Sequence, residues 1–320
     1  MVKIARKHAF AAIAALVPFA AQAQDAITLP DPAFAPEGIS AAADGSLYSG
    51  SLKQGRIVRI MPDGSVTDFI AAGANGLVSV LGTHVSADNQ SLYACSSDPG
   101  FGDLTGSAKP ALVRFNLSDG SADGRFELPE GGFICNDIAE MPDGTMLVTD
   151  SFAPRIYALR PGATELEIWY ESADLQSEGF NLNGIAYSEG SVYFVRYTEG
   201  LLYRIGVKRN GDAGRLRQIE LPRKINGADG LEAQGDGKFI LVEGGGLQAG
   251  ARGAILGLDV KRNKATITVL ADDVNVPTTA TVVGDALYVV EGQLDHLFDP
   301  SAGPADPYRI LKLDLPASFQ

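Results

Sequence analysis

The sequence has little histidine, cysteine or tryptophan: three, two and one in 320 residues. A Zn²⁺ centre, which prefers imidazole and thiolate, has almost nothing to be built from. No arrangement resembles a Ser-His-Asp or Cys-His nucleophile. Basic residues are also scarce, 26 against 39 acids, for a net charge of −13. Such a chain is a poor partner for nucleic acid or an anionic membrane, because both need clustered Lys and Arg. It is compatible with a cation site. Beyond residue 24 no apolar run is long enough to span a bilayer. Charged residues at 20% and apolar residues at 45% argue against disorder, collagen or coiled coil.

The one extended apolar run stands at the start. Lys3, Arg6, Lys7 and His8 precede residues 9–20, which carry no polar side chain and are interrupted only by Pro18. Ala21-Gln22-Ala23 then offers a cleavage site between small residues. Residues 1–23 therefore read as a secretory signal and 24–320 as the mature chain. The alternative, an uncleaved anchor, faces a run too short to cross a bilayer comfortably. The expectation is an exported protein, periplasmic or secreted. An oxidising compartment permits a disulfide between Cys95 and Cys135; two buried thiols are the alternative.

What the chain has in plenty is 37 glycines and 17 prolines, about one residue in six. That density suits short strands and turns rather than helices. The turns recur. Pro36-Glu37-Gly38-Ile39 is followed by Asp44-Gly45, Leu47-Tyr48 and a third strand over 56–60. Cys135-Asn136-Asp137-Ile138 is followed by Asp143-Gly144, Met146-Leu147-Val148 and 155–159. Leu182-Asn183-Gly184-Ile185 leads to Glu189-Gly190, and Ala228-Asp229-Gly230-Leu231 to Asp236-Gly237. Weaker copies carry Asp88-Asn89 and Gly284-Asp285 at the turn. Six copies spaced about 45–55 residues apart fall in the range of propeller blades. An acid-Gly turn between apolar strands is a strong hairpin signal. One such sheet cannot bury both faces, whereas six packed radially can. The predicted fold is all-β, a single six-bladed β-propeller over about residues 30–315; a pair of β-sandwiches is the alternative.

The repeat also marks a site. Glu37, Asn136 and Asp229 each stand seven residues before an Asp-Gly turn, and Asn183 holds the same place with its turn shifted by one. The weaker copies align Gly82 and Thr278 there with the same shift. This position opens the innermost strand, so its residues converge on one mouth of the central channel. Two carboxylates and two amide oxygens are hard donors that match a divalent cation, Ca²⁺ above all. Each residue taken singly is also an ordinary turn residue; the coincidence at one repeat position is what singles them out.

Pro36-Glu37-Gly38, Asn136-Asp137 with Pro142-Asp143-Gly144, Asn183-Gly184-Ile185 and Asp229-Gly230 resemble the motifs of the senescence marker protein (regucalcin)/gluconolactonase-like family of six-bladed propellers. That family is similar to paraoxonases and, more distantly, to strictosidine synthases. The resemblance covers nearly all of the mature chain. It implies a divalent metal, often Ca²⁺, held by Glu37, Asn136, Asn183 and Asp229, and hydrolysis of lactones or related esters, with Asp229 as general base. The sequence departs from the family where Ile134-Cys135 stand in place of its sugar-binding Arg. The resemblance therefore carries the metal more firmly than an aldonolactone substrate.

Topology adds further candidates. The second strand of each blade returns to the same mouth, which brings Asp98, Asp150, Arg196, Tyr197, Glu243 and Glu291 to its border. Arg196 is the best carboxylate or oxyanion partner among them. His84, early in the second innermost strand, is a candidate base or a hydrogen-bonded channel residue. Long segments over 96–110, 244–253 and 291–307 are expected to cover the mouth and to bring Phe101, Leu104, Leu247, Leu294 and Phe298 into an apolar pocket. The leading expectation is a metal-dependent hydrolase acting on a small lactone or ester. The alternatives are a metal-free condensing propeller like strictosidine synthase, and an exported propeller that binds a ligand or partner around a structural metal.

Overall fold

The computed structural model describes residues 25–106 and 108–320; the expected export signal lies outside the described residues. Six four-stranded antiparallel sheets follow one another along the chain. The innermost strands of blades 1 to 6 are Pro36–Ala41, Ser79–Val85, Cys135–Glu140, Leu182–Ser188, Ala228–Gly235 and Pro277–Val283. Each touches the inner strands on both sides, and blade 6 meets blade 1 to close the ring. The chain is thus the six-bladed β-propeller that the repeats predict. Five blades are simple meanders. The sixth takes its outermost strand, Asp25–Thr28, from the beginning of the chain, where it pairs antiparallel with Arg309–Asp314. Among the described residues no helix is long and apolar enough to cross a membrane.

The acid-Gly turns do what their chemistry dictates. In blades 1 and 3, Gly45 and Gly144 sit at φ 81° and 83°, and Asp44 and Asp143 accept the N–H of Ser46 and Thr145 at 2.9 and 3.0 Å. In blades 4 and 5 the turn has only two residues, Glu189-Gly190 and Asp236-Gly237, all at positive φ, as a tight hairpin requires. Blade 5 recovers the seven-residue spacing through a bulge between Ala233 and Gly235. That bulge is why its turn is in step with blades 1 and 3 while blade 4 is shifted by one.

Alternating apolar residues bury between blades rather than within one sheet. Tyr193, Val195 and Leu202 of blade 4 pack with Leu231, Phe239 and Leu256 of blade 5. Leu147 and Ile156 of blade 3 pack with Ile185 and Phe194 of blade 4. Each such side chain, fully buried, contributes about 1.5–3 kcal/mol. The blades therefore hold one another in place. Cys95 and Cys135 form a disulfide that joins the second strand of blade 2 (Ser91–Ser97) to the inner strand of blade 3.

Candidate metal centre

Every inner strand carries a bulge just after its opening residues. The register breaks between Pro36 and Ile39, Val80 and Thr83, Cys135 and Ile138, Leu182 and Ile185, Ala228 and Leu231, and Pro277 and Ala280. A bulge bends a strand and re-aims a side chain. Glu37, Asn136, Asn183 and Asp229 stand at this irregularity in blades 1, 3, 4 and 5. Glycine follows three of them. At Gly184 a Cβ would lie 2.3 Å from the Asp229 carbonyl oxygen, so only glycine lets the two inner strands approach this closely.

The preceding blade fixes the backbone of the ring. Thr149 Oγ1 of blade 3 donates to the Asn183 carbonyl at 2.8 Å, and Thr278 Oγ1 of blade 6 donates to that of Glu37 at 2.7 Å. Ser97 of blade 2 accepts the N–H of Cys135, next to Asn136, at 2.9 Å.

The four side chains line one cavity. All four are buried, at 3–6% exposure. Glu37 Oε2, Asn136 Oδ1 and Asp229 Oδ1 have no hydrogen-bond partner. Among the described residues no Lys, Arg or His lines the space. Burial, with Asp229 and Asp137 as negative neighbours, pushes the Glu37 carboxyl well above its ordinary value. Burial and Asp137 do the same to Asp229, opposed by a hydrogen bond from Asn183. Two buried acids and an orphan amide oxygen with no cationic side chain constitute an electrostatic deficit that a divalent cation would relieve. Among the described residues no three or more His, Cys, Asp or Glu gather to hold a metal. The donor set depends on the two carboxamides, and hard oxygen ligation of that kind fits Ca²⁺ better than Zn²⁺.

The other sequence candidates separate. In blade 2, Val80 pairs with Ser96 and Thr83 with Ala94, so Leu81, not Gly82, holds the ring position and closes that side with hydrocarbon. His84 faces the opposite half of the channel, a cavity of about 310 Å³, where it contacts Glu140 at 3.1 Å. Asp137 and Glu232 share that cavity. Burial raises Asp137 to about 6, against hydrogen bonds from the Ile138 and Ile185 N–H groups and the charge of His84. Burial and the Asp137 charge raise Glu232 to about 8. Arg196 is not in the ring cavity; its guanidinium is held by Asn181, Glu199 and the Gln176 carbonyl.

Asp150, Arg196, Glu243 and Glu291 share one register position, opposite the first residue of their inner strands. They anchor loops. Asp150 accepts four backbone N–H groups and the Tyr157 hydroxyl, Glu243 pairs with Arg223, and Glu291 with Arg309. Asp98 accepts N–H groups of its own loop. Of the six border residues only Tyr197 reaches the cavity. Phe101, Leu247, Leu294 and Phe298 line it as the loops suggest, whereas Leu104 lies by Gly73. Phe152 and Phe180 also line it and were not among the sequence candidates. They sit in connections outside the repeat, so no periodicity marks them.

Comparison with known proteins agrees with this architecture. The strictosidine synthase-like, N-terminal family matches residues 22–60, a stretch that includes Glu37. No curated protein matches the chain. Among solved structures it is similar to a gluconolactonase from Xanthomonas campestris, with TM-score 0.64 and 17% identity over 91% of this chain and 89% of that one. It is also similar to virginiamycin B lyase from Staphylococcus aureus, with TM-score 0.59 and 14% identity over 92% and 99%. A luciferin-regenerating enzyme gives TM-score 0.64 and 13% identity over 91% and 96%. At these identities the likeness is one of fold.

Proposed function

We propose that the protein is an exported, divalent-cation-dependent hydrolase of lactones or related esters, with Ca²⁺ the best-fitting ion. The observation that carries the reading is the convergence of Glu37, Asn136, Asn183 and Asp229 from four blades on one cavity, three of them with unpartnered buried oxygens. A bound Ca²⁺ would supply charge neutralisation and carbonyl polarisation at this point. The chain supplies the rest. Asp229, with its basicity set by burial and by the Asn183 hydrogen bond, takes a proton from the attacking water. Glu37 is the other cavity carboxylate and the second candidate base. Burial and the Asp229 carboxylate hold the Tyr197 phenol protonated, so its hydroxyl is available as a donor to a reacting oxygen. The surrounding walls are aromatic and aliphatic. The Cys95–Cys135 disulfide accords with export to an oxidising compartment.

The family match over the first blade favours a second reading, a metal-free condensing propeller of the strictosidine synthase kind. Against it stand two acids buried together without a cation. A lyase reading lacks a counterpart residue: the staphylococcal lyase is inactive when one histidine becomes alanine, and no histidine lines this cavity. A panel of lactones and esters, assayed with Ca²⁺ and with chelator, separates these. Chelator-sensitive hydrolysis abolished by Asp229→Ala, with weakened Ca²⁺ binding, is the expected result. Chelator-insensitive turnover refutes the metal-dependent reading. Tight Ca²⁺ binding without turnover leaves a ligand-binding propeller with a structural ion.

A further inference from the structure

The oxygen ring forms only the floor of its cavity; the walls and roof are hydrocarbon. Phe180 is the hub. Its ring lies 5.2 Å from Phe152, 5.7 Å from Phe298 and 5.8 Å from Tyr197, and Phe298 lies 5.4 Å from Phe101. These rings come from separate loops. The loop that carries Phe298 is tied to the one that carries Leu247: the Ala249 and Gly250 N–H groups donate to Asp299 and Asp295 at 2.9 and 3.1 Å. Phe152 and Phe298 remain 42% and 38% exposed, forming an apolar rim.

The polar inventory of the lining is short. Apart from the ring it offers Ser151, whose hydroxyl already donates to the Leu182 carbonyl at 3.0 Å, and Tyr197. Among the described residues Glu37 and Asp229 are the only charged ones in the lining, and both are acids. An anionic substrate would find no guanidinium, since Arg196 is committed elsewhere, and the charge of a Ca²⁺ ion held here would already be balanced by the two carboxylates. A polyhydroxylated lactone would leave most of its hydroxyls without partners, each at a cost of roughly 5- to 150-fold in affinity.

We propose that the cavity selects uncharged lactones or esters bearing a bulky apolar substituent, an aryl ring or an alkyl chain, with Phe180 and Phe298 as the residues that set this preference. The cavity is about 60 Å³ and opens at the aromatic rim, so a bulky substituent displaces part of the aromatic cover and replaces its ring contacts with its own. The substrate class rests on the hydrolase reading; the selection for an apolar group does not require turnover.

The test uses non-hydrolysable lactams in the presence of Ca²⁺, followed by calorimetry. One carries a phenyl or hexyl group, the other is the polyhydroxylated gluconolactam. The apolar lactam is expected to bind at least about 100-fold more tightly. Phe298→Ser and Phe180→Ala are each expected to lower its affinity about 10- to 50-fold while Ca²⁺ affinity stays within about threefold. Equal or tighter binding of gluconolactam, no binding of either lactam, or variants that leave the ratio intact would overturn the proposal. Failure of the corresponding lactones to turn over, with the lactam preference preserved, would remove the hydrolase reading and leave the selectivity standing.

Discussion

Removing the Cys95–Cys135 disulfide perturbs stability and site together. The bond closes a loop with a sequence separation of 40, and both residues are fully buried. Chain-entropy arithmetic for a loop of that length gives about 4 kcal/mol of stabilisation, acting mainly through the unfolded chain. Unfolding entropy of about 2.1 cal/mol/K per residue over a fold of roughly 300 residues converts this to a fall in Tm of about 6 °C. The effect should also reach the ring. Cys135 immediately precedes Asn136, and its bridge to blade 2 backs up the two hydrogen bonds between Ser97 Oγ and the Cys135 backbone. The double variant Cys95→Ala/Cys135→Ala should therefore melt about 6 °C lower in chelator, and its Ca²⁺ affinity should fall about 3- to 10-fold through looser placement of Asn136. Thermal melting followed by fluorescence of the single, buried Trp169 reads the first effect, and calorimetric Ca²⁺ titration the second. A Tm within 1 °C of the parent, together with unchanged Ca²⁺ affinity, refutes the reasoning.

Three further outcomes can be checked. Glu232 has a folded pKa raised to about 8 from an ordinary 4.5, so its contribution to stability is full below pH 4.5 and lost as pH rises through 8. Glu232→Gln should thus match the parent near pH 4 and exceed it above pH 8 by about 1–2 kcal/mol, the open cavity screening much of the charge, measured as Tm in chelator at the two pH values. Gly184→Ala forces a Cβ to 2.3 Å from the Asp229 carbonyl and 2.6 Å from the Leu231 nitrogen; it should cost at least about 2 kcal/mol and weaken Ca²⁺ binding in titration. Arg196→Met should lower Tm by removing the donor to Asn181 Oδ1 and to Glu199 Oε1, whereas kcat/KM on a neutral lactone falls less than about threefold; a hundredfold loss would restore Arg196 to the reaction.

The repeats made the propeller legible because strand alternation and acid-Gly turns are local features of the chain. The ring was legible because topology converts a shared repeat position into a shared place. Blade 2 misled because a one-residue shift was allowed there; the unshifted seven-residue spacing to Asp88 points to Leu81, which the pairing selects. Residues at the ends of the second strands looked functional by their charge. Their register places them behind the ring, where Asp150, Glu243 and Glu291 satisfy loop N–H groups instead. The far-side placement of His84 follows from its position three residues beyond Leu81, on the other side of the bulge. The aromatic roof was only half visible. Phe152 and Phe180 lie in non-repeating connections, where contacts form only once distant blades are in place.

Ring closure joins the first and last strands of the described residues, since residues 25–28 pair with 309–312. Until that pairing forms, the blades make an open arc, and Glu37 in blade 1 need not face Asp229 in blade 5. A cation held by Glu37 and Asp229 would be bound best by the shut ring and would favour shutting in return. On the proposed metal reading, the concentration of the ion would bias folding, and removing residues 25–28 would weaken ion binding without touching a proposed ligand.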